Sequence, residues 1–282
     1  MPEGDTVWLT AHRLHHALAG GVLTRFDLRV PRFATADLTG RSVLDVTPRG
    51  KHLLTRFEGG LTLHSHLRMD GAWRVFAAGD RWTGGPAHQI RAVLGTEAAT
   101  AVGYRLPVLE LLRTRDEDRV VGHLGPDLLG PDWDATTAAT AVARLRADPA
   151  RPVGDALLDQ RNLAGIGNVY RCELVFLARV TPWLPIGDLP EETVARLVAT
   201  AHRLLMSNRT TFERRTVPGT GRRGPLLYVY GRAGHPCARC GRPIRVTPSH
   251  DQGPAPAPDE RIAYWCPGCQ QGPGPPRGPA AA

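Results

Sequence analysis

The sequence predicts an α+β chain of several domains: an N-terminal β-sandwich with a flanking helix, a helical middle, and a C-terminal β-hairpin held by cysteine knuckles. Three observations predict it. Short alternating runs punctuated by Gly and Pro fill residues 22–113, as in an antiparallel sandwich. At Asp134 the apolar spacing changes to helical. Two C-x-x-C pairs, Cys237/Cys240 and Cys266/Cys269, then close the chain. With 282 residues there is room for two or three compact units, at roughly 100–200 residues each.

The elements follow in order. Residues 5–20 read as a helix: Asp5 and Thr6 offer caps, Val7, Ala11, Leu14 and Leu18 recur on one face, and Gly20-Gly21 ends it. Strands are expected at 22–28, 43–46, 53–57, 61–67, 72–76, 90–94 and 108–112. The second and third flank Pro48-Arg49-Gly50-Lys51 as hairpin arms would. Asp134 can cap a helix through Leu145, closed by Asp148-Pro149. Residues 152–158 and 168–178 read as helices around the turn Leu163-Ala164-Gly165-Ile166-Gly167. A longer helix begins at Pro190, with Glu191 and Glu192 in its first turn, and runs to about Met206. A basic connection spans Arg209–Arg223, and strands at 244–247 and 261–265 form the last hairpin. Residues Gln271–Ala282, nearly all Gly, Pro and Ala, are expected to lack fixed structure.

Net charge is +8, carried almost wholly by Arg, whose fork suits phosphate but also suits a basic surface of any kind. No apolar run approaches the roughly 20 residues that cross a bilayer, so no membrane partner is expected. The polar, acidic first residues carry no secretory signal, which makes a reduced cytoplasmic protein the expectation. The two knuckles suit one structural Zn²⁺, since four thiolates leave no coordination position open for catalysis. An iron–sulfur centre or a disulfide pair is the less favoured use. So small a core needs such a staple to fold. By itself this motif says only that nucleic acid or protein is bound.

The chain opens Met1-Pro2-Glu3-Gly4-Asp5. Proline in second place permits removal of Met1, leaving a secondary amine followed at once by a carboxylate: a nucleophile beside a proton donor and acceptor. Frayed chain ends often look like this, so the motif gains weight only in company.

That company consists of Pro2-Glu3-Gly4, Arg49-Gly50-Lys51, Leu124-Gly125-Pro126-Asp127-Leu128-Leu129, Leu158-Asp159-Gln160 through Gly165-Ile166-Gly167-Asn168-Val169-Tyr170, Val229-Tyr230-Gly231-Arg232 and Tyr264-Trp265-Cys266-Pro267-Gly268-Cys269-Gln270. In this order they resemble the family of formamidopyrimidine-DNA glycosylase and endonuclease VIII, from residue 1 to about 270. PEGDTVW and SHLRMDGAW look most like an actinobacterial endonuclease VIII-type enzyme. The resemblance implies a catalytic sandwich at 1–124, a helix–two-turn–helix DNA-binding domain at 125–225, a zinc finger at 226–270 and a loose tail at 271–282. It implies a bifunctional glycosylase and lyase of base-excision repair, monomeric, in the bacterial cytoplasm at the nucleoid, acting on damaged DNA, duplex or single-stranded. Oxidised pyrimidines are the favoured lesions. Pro2 would form the imine and Glu3 move protons on the opened sugar. Lys51, Asn168 and Arg261 would hold phosphates, and Lys51 and Arg261 would belong to the catalytic set. Met69 would fill the space left by the flipped nucleotide, with Arg68 on the orphaned base. Cys237, Cys240, Cys266 and Cys269 would hold the zinc. Two features depart from the pattern: Asp5-Thr6 follows Pro2-Glu3-Gly4 where many relatives carry Pro-Glu, and the finger loop at 248–260 is long. A damage-binding protein of the same fold with weak catalysis is therefore the alternative. His64, His66 and His88 show no metal-ligand spacing, and Cys172 reads as a buried helix thiol.

Overall fold

The computed structural model describes residues 1–219, 224–248 and 262–275. The chain divides into two compact units, Met1–His123 and Leu124–Ala282.

In the first unit, α1 (Gly4–Leu18) lays Val7, Ala11, Leu14 and Leu18 into the core. It begins one residue earlier than expected, with Glu3 at the N-cap. Asp5 is no cap: it lies inside the first turn, where a carboxylate meets the positive end of the helix. Eight strands follow: β1 (Arg25–Leu28), β2 (Val43–Arg49), β3 (His52–Phe57), β4 (Leu61–His66), β5 (Ala72–Ala77), β6 (Ile90–Gly95), β7 (Ala99–Tyr104) and β8 (Val108–Arg113). They form two antiparallel sheets of order β1-β6-β7-β5 and β2-β3-β4-β8. Phe26, Phe57, Leu53, Leu63 and Leu94 fill the space between the two sheets.

Two differences from the sequence reading have physical causes. Val22 makes only an isolated bridge to Ser42, so the first strand starts at Arg25. β7 is not expected from the sequence because it is a central strand, paired on both sides and buried through Ala101, Val102 and Tyr104. Its alternation is therefore apolar against apolar, and Gly103 lets the Leu106 side chain pack close, since a Cβ there would meet Leu106 Cδ1 at 2.5 Å.

In the second unit, a short α2 (Asp118–Val121) having closed the first, the chain continues as α3 (Ala135–Arg146), α4 (Val153–Leu158), α5 (Asn168–Leu177) and α6 (Glu191–Asn208). Asp134 caps α3 as expected, accepting from the Thr137 N–H at 2.7 Å. The segment between α4 and α5 is braced by Gln160, whose amide donates to the Leu158 and Ile166 carbonyls (2.7 and 2.9 Å) and accepts from the Gly165 N–H at 3.1 Å. The finger hairpin, β9 (Arg245–Pro248) with β10 (Ile262–Trp265), packs on α5 through Cys172, Phe176, Ile244 and Cys266.

The tail corrects the sequence reading. Residues 271–275 are placed: the Gln271 N–H donates to the Arg179 carbonyl, the Thr181 N–H donates to the Gln271 carbonyl, and the Thr181 hydroxyl donates to the Pro273 carbonyl, each at 2.9 Å. Composition alone suggested a loose end. These backbone bonds latch the chain to the loop after α5 directly behind the second knuckle. Residues 276–282, like 249–260, lie outside the described residues.

Candidate active site and metal centre

At the amino terminus, Met1 and Pro2 are half-buried and Glu3 is fully buried. Glu3 has extended backbone (φ −124°, ψ −173°), and its carbonyl accepts the Val7 N–H at 3.0 Å, so the first turn of α1 fixes its place. Asp5, 1% exposed, bends its Oδ1 back to the Thr6 N–H at 2.6 Å.

Lys51, the only lysine in the sequence, lies in the β2–β3 turn. Arg49 pairs with His52, leaving Gly50 and Lys51 as the loop. Gly50 has φ +56°, which a two-residue hairpin turn requires at its first position and a side chain would oppose.

Next to this turn the structure gathers residues that spacing alone did not join. The ring of His52 lies edge to edge and nearly coplanar with His64 (centroids 5.1 Å, 18° between planes), meets His66 edge-on at 4.8 Å and lies 6.2 Å from His123. His52 Nδ1 is 2.8 Å from His64 Nε2, and His64 Nδ1 is 3.4 Å from Glu110 Oε2. Strand register explains it: His52 faces His66, and His64 faces Glu110. Burial, then the neighbouring rings and Arg68, press the pKa of His52 down to about 2. Burial, then Arg68 and Lys51, press His66 down to about 3. Burial also lowers His64, against the pull of Glu110. All three rings are thus neutral at pH 7.

Arg68 and Met69 occupy the turn after β4. Arg68 takes φ +49° and is exposed, its N–H donating to His66 Nδ1 at 3.0 Å, while Met69 is half-buried at the turn rather than in the core. Arg105 braces this turn: its Nε donates to the Asp70 carbonyl at 3.0 Å and its Nη1 to Gln89 Oε1 at 2.6 Å. Gly71 closes it where a Cβ would meet the Leu67 carbonyl oxygen at 2.5 Å.

In the second unit Asn168 is the first residue of α5, not its cap; Gly167 is the N-cap. Asn168 is fully buried, with Nδ2 donating to the Ile262 carbonyl at 2.9 Å. Arg171 Nη2 donates to the same carbonyl at 2.8 Å, and the Tyr264 N–H donates to Cys172 Sγ at 3.4 Å. The start of α5 thus clasps the finger strand β10, which shows Cys172 to be a contact between elements as well as a buried thiol. Arg261 lies outside the described residues.

The sulfurs of Cys237, Cys240, Cys266 and Cys269 all lie within 4.8 Å of one another. Cys237–Cys269 measures 3.9 Å and Cys240–Cys266 3.4 Å. A disulfide needs about 2.05 Å, whereas a tetrahedral ion at about 2.3 Å from each thiolate sets sulfurs roughly 3.8 Å apart. The set fits a metal ion. Arg239, between the first two cysteines, lies over the Phe176 ring at 4.4 Å and ties the knuckle to α5.

Comparison with known proteins agrees with this arrangement. The formamidopyrimidine-DNA glycosylase N-terminal domain matches residues 1–105, and the formamidopyrimidine-DNA glycosylase H2TH domain matches residues 124–211. A probable endonuclease 8 2 of Streptomyces coelicolor is 67% identical over 98% of this chain and 96% of its own. The DNA-(apurinic or apyrimidinic site) lyase Nei2 of Mycolicibacterium smegmatis is 48% identical over 96% of this chain and 99% of its own. In fold, the chain is similar to Lactococcus lactis formamidopyrimidine-DNA glycosylase non-covalently bound to AP-site DNA: TM-score 0.76, 23% identity, 96% of this chain and 100% of that one.

Proposed function

The chain belongs to the formamidopyrimidine-DNA glycosylase and endonuclease 8 family, and from that premise we propose a base-excision-repair enzyme, both DNA glycosylase and AP lyase, working through the amine of Pro2. The observation that carries this reading is the fully buried Glu3 carboxylate directly behind Pro2, held by the first turn of α1. A free α-amino group ordinarily titrates near 7.7–8.0, so a useful fraction is the neutral nucleophile at cellular pH.

The Pro2 nitrogen attacks C1′ of the flipped nucleotide and the C1′–base bond breaks, the base leaving with a proton. Glu3 delivers a proton to the ring oxygen as the sugar opens, and the nitrogen lone pair closes the cationic imine. The imine draws electrons from C2′. Loss of a C2′ proton expels the 3′ phosphate, and a second elimination expels the 5′ phosphate. Hydrolysis then frees Pro2. Extruding the base costs a few kcal/mol, least for a damaged base. Lys51, with Arg261, holds flanking phosphates, and the backbone N–H groups at the Asn168 helix start, whose dipole favours an anion, take another. The buried Asn168 amide keeps its bond to the Ile262 carbonyl and holds that start in place. Met69 and Arg68, on the braced turn, enter the emptied stack. Oxidised pyrimidines are the preferred lesions, and the enzyme works in the cytoplasm on the nucleoid.

Borohydride reduction with abasic-site DNA tests the reading. A covalent adduct whose cross-linked peptide begins at Pro2 is the expected result. No adduct, despite tight binding, would leave a damage-binding protein instead.

We further assign the four-cysteine site to one structural Zn²⁺, on the sulfur spacing and the all-thiolate donor set. Metal analysis should return one zinc per chain. Stripping it with a chelator should loosen the finger, read as rapid amide exchange at Ala263 and Trp265, while the sandwich strands keep their protection. Iron in place of zinc, or unchanged protection after stripping, would refute the assignment.

A further inference from the structure

Among the described residues, three that are not glycine take left-handed backbone: Arg68, Arg105 and Arg179, at φ +49°, +48° and +61°. Two of them, Arg68 and Arg105, lie in adjoining turns of the sandwich, after β4 and after β7. Such backbone persists only where the surrounding contacts hold it, so two cases side by side mark a place where position matters. Strand register brings them together. β7 is a central strand, and its last residue, Tyr104, pairs with Ala72 at the start of β5 and with Ile90 at the start of β6. Arg105, the next residue, reaches the residues just before each of those starts. Gln89 holds it twice: the Gln89 carbonyl accepts the Arg105 N–H at 2.8 Å, and Gln89 Oε1 accepts Nη1 at 2.6 Å. Gly85 (φ +151°) backs the pair so closely that a Cβ would meet Gln89 Oε1 at 3.0 Å. The guanidinium, so fixed, turns Nε onto the Asp70 carbonyl at 3.0 Å. On the other flank His66 Nδ1 accepts the Arg68 N–H at 3.0 Å, and the Leu67 carbonyl accepts the Gly71 N–H at 2.9 Å. Met69 rides between these anchors.

We propose that Arg105 is a positioning residue for the base-release step: anchored on Gln89, it holds the Asp70 carbonyl and so aims Met69 into the stack while the damaged nucleotide is out. A guanidinium suits this part, because its planar fork meets two acceptors in a preset geometry where an ammonium on a flexible stem does not. A turn already shaped loses little freedom on entering DNA, whereas a loose one would add its ordering cost to that of extruding the base. An abasic site has no base to extrude, so strand cleavage at such a site leans on the brace far less.

This role for Arg105 rests on the reading of Met69 as the residue that fills the emptied stack, and the test separates the two. Base release from a duplex carrying dihydrouracil, and cleavage of a preformed abasic site, are timed in single turnover. The proteins are wild type, Met69→Ala, Arg105→Gln, Gln89→Leu and the double variant Met69→Ala with Arg105→Gln. Arg105→Gln should slow base release by about tenfold and leave abasic-site cleavage within about twofold of wild type. The double variant should be no slower than Met69→Ala, since both changes act through one side chain. Gln89→Leu keeps the guanidinium and its charge and removes only the side-chain anchor, so it should show the same split between the two steps in weaker form. It also guards against a folding defect in Arg105→Gln. Binding of Arg105→Gln to a duplex with a tetrahydrofuran abasic analogue should keep the wild-type salt dependence. A slope of log Kd against log salt lower by about 0.9 would make Arg105 a phosphate contact instead and overturn the inference. Unchanged base release in Arg105→Gln, equal slowing of both steps in it and in Gln89→Leu, or losses that add in the double variant would overturn it too. Base release at the wild-type rate in Met69→Ala would overturn the reading of Met69 beneath it.

Discussion

A chain whose Pro2 nitrogen is acylated, by a retained Met1 or an acetyl group, will bind abasic-site DNA and give no borohydride adduct. The nitrogen is then an amide, its lone pair shared with a carbonyl, and it cannot form an imine. The trapped fraction and strand cleavage should both fall to background. Affinity should change by less than about threefold, well under the 1.4 kcal/mol that a tenfold change represents, because the proposed phosphate contacts come from Lys51, Arg261 and the backbone at the Asn168 helix start. Composition makes this prediction unusually clean. Lys51 is the only lysine, so the amines of the whole mature chain are Pro2 and Lys51. Quantitative adduct formation in the acylated protein would transfer the nucleophile to Lys51, and mapping the cross-linked peptide would show it. Intact-mass measurement fixes the fraction of chains that have lost Met1, and the trapped yield should follow that fraction.

The parts legible from the sequence were those whose signal is local. α1 and α6 announced themselves by apolar spacing and the β2–β3 hairpin by its Gly50 turn, while the four-cysteine cluster showed in the C-x-x-C pairs. The illegible parts depend on register or on distant partners. His52, His64, His66 and Glu110 are scattered over three strands and meet only because β3, β4 and β8 align as they do. Asn168 reads as a helix cap until its amide is found on the carbonyl of Ile262. Histidines at alternate positions, as in His64-Ser65-His66, are the one clue the sequence offered to the cluster: they must share a strand face, and a polar face beside a lysine turn invites a search for partners.

Glu173 was the least legible of all, for it looks like any helical glutamate, and its removal should cost the second unit several kcal/mol. It is fully buried on α5, and its carboxylate collects four donors. The Thr216 hydroxyl and the Tyr228 N–H donate to Oε2, the latter at 2.8 Å; the N–H groups of Val229 and Tyr230 donate to Oε1 at 2.8 and 2.9 Å. Burial pushes the carboxyl pKa up, and the four donors oppose that rise. The three consecutive backbone donors lie outside the strands assigned among the described residues, and this one side chain takes their N–H groups as a ladder would for the run that leads into the knuckles. Glu173→Ala orphans donors at about 1–3 kcal/mol each where water cannot reach them. Partial entry of water brings the total to roughly 3–5 kcal/mol, the range for breaking a buried charged network. At about 2–4 °C per kcal/mol for a unit of this size, the melting transition of the helix–finger unit should fall by roughly 10–15 °C. Glu173→Gln keeps one acceptor oxygen but turns an NH₂ toward backbone N–H groups, so its loss should be smaller and still clear. The transition of the sandwich, if resolved by calorimetry, should not move. A fall of less than about 1 kcal/mol for Glu173→Ala, within the range of an ordinary surface change, would mean that the run at 228–230 finds other partners and that Glu173 does not anchor it.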